Sequence, residues 1–309
     1  MKKQLQRSKT LEKGDKVALI APAGPLLQPE RLNFAIKFLK SLSLIPICGK
    51  SCIARHGYLA GEDNVRAGDI NWAFADTDIK GIFCIRGGYG SARILNKIDF
   101  GVIKKNPKFF CGYSDITALH IAVNQKADLM TFHTPMPCET GFSEADAYTL
   151  HFLHKFMFNP AMDTELYNPQ GSKWEFMVNG YAEGPICGGN LTVISSLMGT
   201  PYEIDTRDKI LFLEDIGEEP YKIDRMLNQL QMAGKFDVCA GVVFGNFADC
   251  EPKNPTASLT IPEIIKGLRL QVPVLYNFAC GHCMPTASLP LGCIAALDSC
   301  TNTFKILQK

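Results

Sequence analysis

The chain has 309 residues, 32 of them basic and 31 acidic, for a net charge of +1; this excludes the basic footprint of a nucleic-acid binder and a polybasic membrane-surface patch. A composition of 46% hydrophobic and 20% charged residues excludes general disorder, and the length exceeds what one hydrophobic core serves, so two domains are expected. The basic start MKKQLQRSK is not followed by the apolar run of a secretion signal, and no stretch is apolar enough to span a bilayer, so no membrane association and a cytoplasmic location are expected.

Strand and helix signals alternate through the first half. KVALIAP (16–22) is a short apolar run closed by proline, as a buried parallel strand requires, and residues 29–42 place Leu32, Ala35, Ile36 and Leu39 at helical spacing. LIPIC reads as a strand, NVRAGDINWAFAD as a helix, IKGIFCIRGG as a strand, SARILNKI as a helix, KFFCGYS as a strand and DITALHIAV as a helix. Repeated units of this kind predict an α/β fold with a parallel sheet, whose sites lie beyond the carboxyl ends of the strands. The periodicity fades in a stretch rich in Pro, Asn and Gly, giving an α/β domain over 1–155, a linker over 156–179 and a second domain over 180–309. In the second half GGNLTVISSLMGTPY reads as a helix after a glycine pair, KILFLED as a strand ending in acids, PYKIDRMLNQLQMAG as a helix and CAGVVFGNF as a strand.

One serine stands where a strand hands over to a helix, in FFCGYSDITALH (109–120). A nucleophilic serine needs an exposed Oγ, a base and donors for the oxyanion, and a sharp strand-to-helix turn supplies the first and the last. Gly112 allows the close approach and Asp115 offers the next N–H, although Ile116 replaces the second glycine of the G-x-S-x-G elbow. The other reading makes Ser114 a helix cap bonding the N–H of Ile116 or Thr117. A glycine-rich turn one unit earlier, CIRGGYGSARIL (84–95), places Gly87 and Gly88 where their N–H groups could complete an oxyanion pocket. Its Gly88-x-Gly90 lacks the third glycine and the later acid of a dinucleotide fingerprint.

Of six histidines, His282 stands apart, beside Gly281 in a loop that ends an apolar run; it reads as a base or as a loop histidine bonded to backbone. Glu214 is the first acid after the run ILFL and could orient a base, whereas Glu218 and Glu219 fall in a turn and read as solvated. The acids lack the spacing of a calcium loop, and no metal is expected. Twelve cysteines are scattered through apolar segments, the usage of a chain that keeps free thiols; Cys280 and Cys283 have metal or redox spacing but no second such pair, and read as inert.

The stretches RGGYG, GYSD, AEGPICGGNLTVISSLMGTPYEID, LFLEDIGEEPYKIDRML and GHCMPTASLPLG resemble, in order and over nearly the whole chain, the LD-carboxypeptidase family of serine peptidases, which includes microcin C immunity proteins. The resemblance implies a nucleophile at Ser114, an acid at Glu214, a base at His282 and oxyanion donors at the N–H of Gly88 and Asp115. It implies an amino-terminal α/β domain like that of class I glutamine amidotransferases, a smaller β-rich α+β carboxy-terminal domain, a homodimer, no cofactor, and release of the terminal D-alanine from murein tetrapeptides in cell-wall recycling. Arg86, just before the glycine turn, is the nearest cation for a substrate carboxylate, or else ties the turn to neighbouring carbonyls. Two alternatives stand beside this: a microcin-immunity type peptidase acting on aminoacyl-nucleotide analogues, and a binding module without catalysis. Cys111 as nucleophile is a third, disfavoured because a strand residue at that position points into sheet packing.

Overall fold

The computed structural model describes residues 5–139, 142, 145–159 and 163–307. The described residues divide into two compact units, one formed by those between 5 and 159 together with 288–291, the other by residues 163–287 with 292–307.

In the first unit, β1 (Lys16–Ile20), α1 (Glu30–Ser41), β2 (Ile45–Cys48), α2 (Asp63–Ala75), β3 (Ile79–Cys84), α3 (Phe100–Lys105), β4 (Phe109–Gly112), α4 (Thr117–Ala127), β5 (Thr131–His133) and α5 (Ala147–Phe158) follow one another. The five strands pair in parallel in the order 2-1-3-4-5, and Leu289–Leu291 adds an antiparallel edge beside β5. Burial on both faces explains the unbroken apolar runs: β1 and β4 are almost wholly buried, and Phe109 stacks on Phe132 at 4.5 Å. Each fully buried phenylalanine of this core contributes about 1.5–3 kcal/mol. SARILNKI folds as a 3₁₀ helix over Ala92–Lys97, not as an α-helix. Because β1 leads outward to β2 while β3 leads the other way to β4, the loops after β1 and β3 part at a topological switch point, the usual place for a ligand.

The second unit contains β6 (Thr164–Leu166), β7 (Glu175–Val178), β8 (Tyr181–Asn190), α6 (Leu191–Ser196), β9 (Ile210–Ile216), α7 (Pro220–Met232), β10 (Gly241–Ala248), α8 (Ile261–Gly267), β11 (Val274–Tyr276), β13 (Ile294–Asp298) and β14 (Thr303–Ile306); β12 is the Leu289–Leu291 strand already placed in the first unit. Its eight strands run 6-14-13-8-9-10-11-7, parallel in the centre from β8 to β11 and antiparallel toward both edges. Two of them, β6 and β7, lie in the proline-rich stretch 156–179. No helix among the described residues is long and apolar enough to cross a membrane.

A buried imidazole braces the first unit's sheet. His120 of α4 has no exposed surface, and its Nε2–H donates to the Gly112 carbonyl at 2.9 Å, at the end of β4. Burial pulls its pKa down to about 3. Because the folded value lies below the unfolded one near 6.5, the unfolded chain binds the extra proton, and stability is lost as pH falls from about 6.5 toward 3. His120→Gln retains a donor without the charge. We expect wild type to lose on the order of 2 kcal/mol more than this variant between pH 7 and 4.5 in urea unfolding, and parallel curves would contradict the assignment.

Candidate active site

The strand-to-helix turn after β4 is strained. Ser114 adopts φ 63°, a left-handed conformation that costs a non-glycine residue about 1–3 kcal/mol and persists only where the surroundings enforce it. Ser114 caps nothing: the 3₁₀ turn Ser114–Ile116 has no side-chain cap, and α4 begins without one. The turn of Gly87 lies directly against it, since a Cβ on Gly87 would fall 2.7 Å from Ser114 Cβ and 2.8 Å from its Oγ. The structure thus brings the RGGYG turn to the serine, and Gly88 follows at φ 97°.

What holds the two turns together is a set of bonds that spacing alone did not reveal. Asp115 accepts the Ser91 N–H at 2.8 Å on its carboxylate, and the Ser91 hydroxyl donates to the Asp115 carbonyl. Burial, partly offset by Ser91, holds the Asp115 carboxyl above the usual carboxylate range. Arg66, fully buried in α2, donates to the carbonyls of Pro22 and Gly90, both at 2.7 Å, and pairs with Asp63. Arg66 falls on the same stripe of α2 as buried Ala67, Ile70, Ala73 and Phe74, and a cation on an apolar stripe was its only signal in the sequence.

Cys111 is a core residue. It is 1% exposed, and burial pushes its thiol far above the range of a nucleophile.

In the second unit Glu214 comes from β9, whose parallel neighbours leave it no exposed surface. Its Oε2 accepts His282 Nδ1–H at 2.6 Å and the His282 backbone N–H at 3.2 Å. The loop carrying His282 is seated by an irregularity in β10: the pairing with β9 shifts register between Phe244 and Phe247, and there the Asn246 N–H donates to the Cys280 carbonyl at 3.0 Å. Gly281, at φ 116°, is demanded by the acid itself, because a Cβ there would sit 2.6 Å from Glu214 Oε2. Next along β9, Asp215 accepts from Thr192 and Asn190 at the start of α6 and so fixes that turn. Glu218 and Glu219 pair with Lys222 and Lys253 at the surface. Cys280 is a buried free thiol bonded to the Ala287 carbonyl, and burial raises Cys283 to about 11.

Arg86 is half-buried and lines a pocket of about 650 Å³ beside the Gly87–Gly88 turn. It ties no carbonyl among the described residues; the turn is held instead by Gly24, whose N–H donates to the Gly87 carbonyl at 2.9 Å.

Comparison with known proteins follows the same division of the chain. Residues 17–134 match the LD-carboxypeptidase N-terminal domain and residues 183–297 the LD-carboxypeptidase C-terminal domain. The chain is 42% identical over 300 residues to a probable murein peptide carboxypeptidase of Bacillus subtilis, covering 96% of this chain and 93% of that one. Among solved structures it resembles an MccF-like protein from Bacillus anthracis (TM-score 0.88, 28% identity, 98% and 100% covered). It also resembles a muramoyltetrapeptide carboxypeptidase from Oxalobacter formigenes (TM-score 0.82, 29% identity, 94% and 97% covered).

Gly281→Ala tests the acid–imidazole pair. The added methyl and the left-handed φ should cost about 2 kcal/mol of stability and abolish the far-downfield proton resonance of His282 Nδ1–H. Retention of that resonance would show that the pair does not depend on the missing Cβ.

Proposed function

Because this chain belongs to the LD-carboxypeptidase family, we propose that it is a serine carboxypeptidase that releases the terminal D-alanine of murein tetrapeptides. The observation that carries the reading is the buried Glu214–His282 pair, which fixes the imidazole in the tautomer whose Nε2 accepts a proton. The strained display of Ser114 supports it.

In this reading Ser114 Oγ attacks the carbonyl carbon of the residue before D-alanine while His282 Nε2 takes its proton. Glu214 stabilises the imidazolium that forms. The oxyanion accepts from the N–H groups of Gly88 and Asp115, each such donor lowering the barrier by ~3 kcal/mol. Collapse breaks the C–N bond, and His282 returns the proton to the leaving amine of D-alanine. Water, deprotonated by His282, then hydrolyses the ester and restores the serine. Arg86 receives the free terminal carboxylate, the group that makes the enzyme a carboxypeptidase. No cofactor takes part. An amidotransferase-like first domain, a homodimer, a cytoplasmic location and a place in cell-wall recycling belong to the same proposal.

The likeness to an MccF-like protein favours a second reading, hydrolysis of aminoacyl-nucleotide analogues by the same residues. Incubation with anhydro- and UDP-linked tetrapeptides, followed by mass spectrometry for D-alanine, separates the two. Tetrapeptides left intact beside a cleaved aminoacyl nucleotide would replace the first reading by the second. Binding of a tetrapeptide with no product over hours would leave only a binding module.

The triad makes its own prediction. A serine-directed fluorophosphonate should label Ser114, and labelling should disappear in His282→Gln although the two residues lie 168 positions apart (282 − 114). Ser114→Ala should abolish turnover without loss of folding. Glu214→Gln should lower kcat by roughly 10³–10⁴ through the wrong tautomer. A thiol reagent should leave activity intact, and inactivation traced to Cys111 would transfer the nucleophile's role to that thiol.

A further inference from the structure

Four arginines lie between residues 55 and 93, and they divide into two kinds. Arg66 and Arg93 are both taken up by Asp63, Arg93 at 3.0 Å. Arg55 and Arg86 have no hydrogen-bond or ion-pair partner among the described residues, and both line the pocket beside the Gly87–Gly88 turn. The rest of the lining is Gly24, Pro25, Leu27, Gly57, Gly88 and the rings of Tyr58 and Tyr89, whose centroids lie 5.8 Å apart. No acid lines it. The pocket therefore offers two uncompensated guanidinium groups together with aliphatic and aromatic surface, at the switch point of the first unit's sheet.

One cation suffices for one terminal carboxylate. Two, with apolar surface alongside, fit a peptide end that carries two carboxylates, one at its terminus and one at the tip of a side chain with a hydrocarbon stem. We infer that this pocket is a diacid site: Arg86 holds the terminal carboxylate of D-alanine, and Arg55 holds the distal carboxylate of a diaminopimelate residue before it. This inference rests on the carboxypeptidase reading and specifies its substrate. The three methylenes of diaminopimelate would lie along Tyr58 and Tyr89. The distal centre of diaminopimelate carries an ammonium beside its carboxylate and is neutral overall, whereas a lysine ends in the ammonium alone and meets Arg55 with a net charge of the same sign. Attraction for one residue and repulsion of the other both act toward selectivity.

The test compares tetrapeptides carrying diaminopimelate, diaminopimelate amidated at its distal carboxylate, and lysine. Wild type should prefer the free diacid over both others by about 10- to 100-fold in kcat/KM, the range of one charge-assisted hydrogen bond. In Arg55→Gln the preference should shrink to below about threefold, and Arg55→Lys should restore part of it. Arg55 is exposed, so an unchanged melting temperature in these variants is expected and separates recognition from folding. A wild-type preference near one, or a preference that survives Arg55→Gln, overturns the diacid site while leaving the carboxypeptidase standing. Should wild type cleave none of the peptides, the carboxypeptidase reading falls, and calorimetry on Ser114→Ala decides the pocket. Tighter binding of the diaminopimelate peptide, lost with Arg55→Gln, then supports the site; equal affinity for all three peptides removes it.

Discussion

A carboxylate with no exposed surface is the constraint on which the second unit's site depends. Removing such a group from water costs several kcal/mol unless donors replace the lost hydration. Glu214 receives two of them on one oxygen, from the ring and the backbone of the same histidine. Its position at the end of an apolar parallel strand makes it rigid, and the register shift in β10 gives the His282 loop a backbone seat. Gly281 then becomes obligatory, because the space its Cβ would occupy is already filled by the acid. Glycine, loop seat and imidazole thus converge on one oxygen of a single buried acid.

The first unit meets a different requirement, holding a serine in a conformation it disfavours. The left-handed φ of Ser114 is balanced by bonds on all sides of the turn rather than by the residue itself. His120 fixes the carbonyl of Gly112, which also accepts the Thr134 N–H at 3.0 Å. Asp115 and Ser91 clip the serine turn to the glycine turn, and Arg66 ties the latter to the loop after β1. Neutral histidine suits this role: a charged imidazole with no exposed surface would add the desolvation penalty that its depressed pKa reflects.

Legibility in the sequence follows the physical origin of each feature. Gly87, Ser114 and Glu214 stood out because close approach, a strand-to-helix turn and an acid at the end of a buried strand each restrict residue type locally, whereas the residues alone left Ser114 and His282 with two readings each and only the family resemblance chose between them. Asp115 was readable only as an N–H donor, since its side chain acts on a serine 24 positions away. Arg66 was hidden for the same reason, its carbonyl partners lying at Pro22 and Gly90. The alternating α/β pattern predicted the parallel sheet, but periodicity carries no information on a strand that rejoins it late. Leu289–Leu291 pairs with β5 across some 150 residues. The strands β6 and β7 are three and four residues long, and edge positions impose too little burial to leave a pattern amid Pro, Asn and Gly.

Selectivity is written in a different kind of residue from chemistry. The residues assigned to the reaction sit in strained or closely packed turns and, for Glu214 and Asp115, inside the fold, where their geometry is set by the backbone around them. Arg55 and the two tyrosines are exposed and sit on loops, where exchanging a side chain costs the fold little. An exposed arginine without a partner is nearly neutral for stability, whereas its field in a pocket without acids acts on whatever charge enters. Relatives built on one catalytic frame can therefore diverge in the anion they accept through changes at such positions alone. With a net charge of only +1, the whole molecule supplies little steering of its own, and discrimination falls to this local pair of cations.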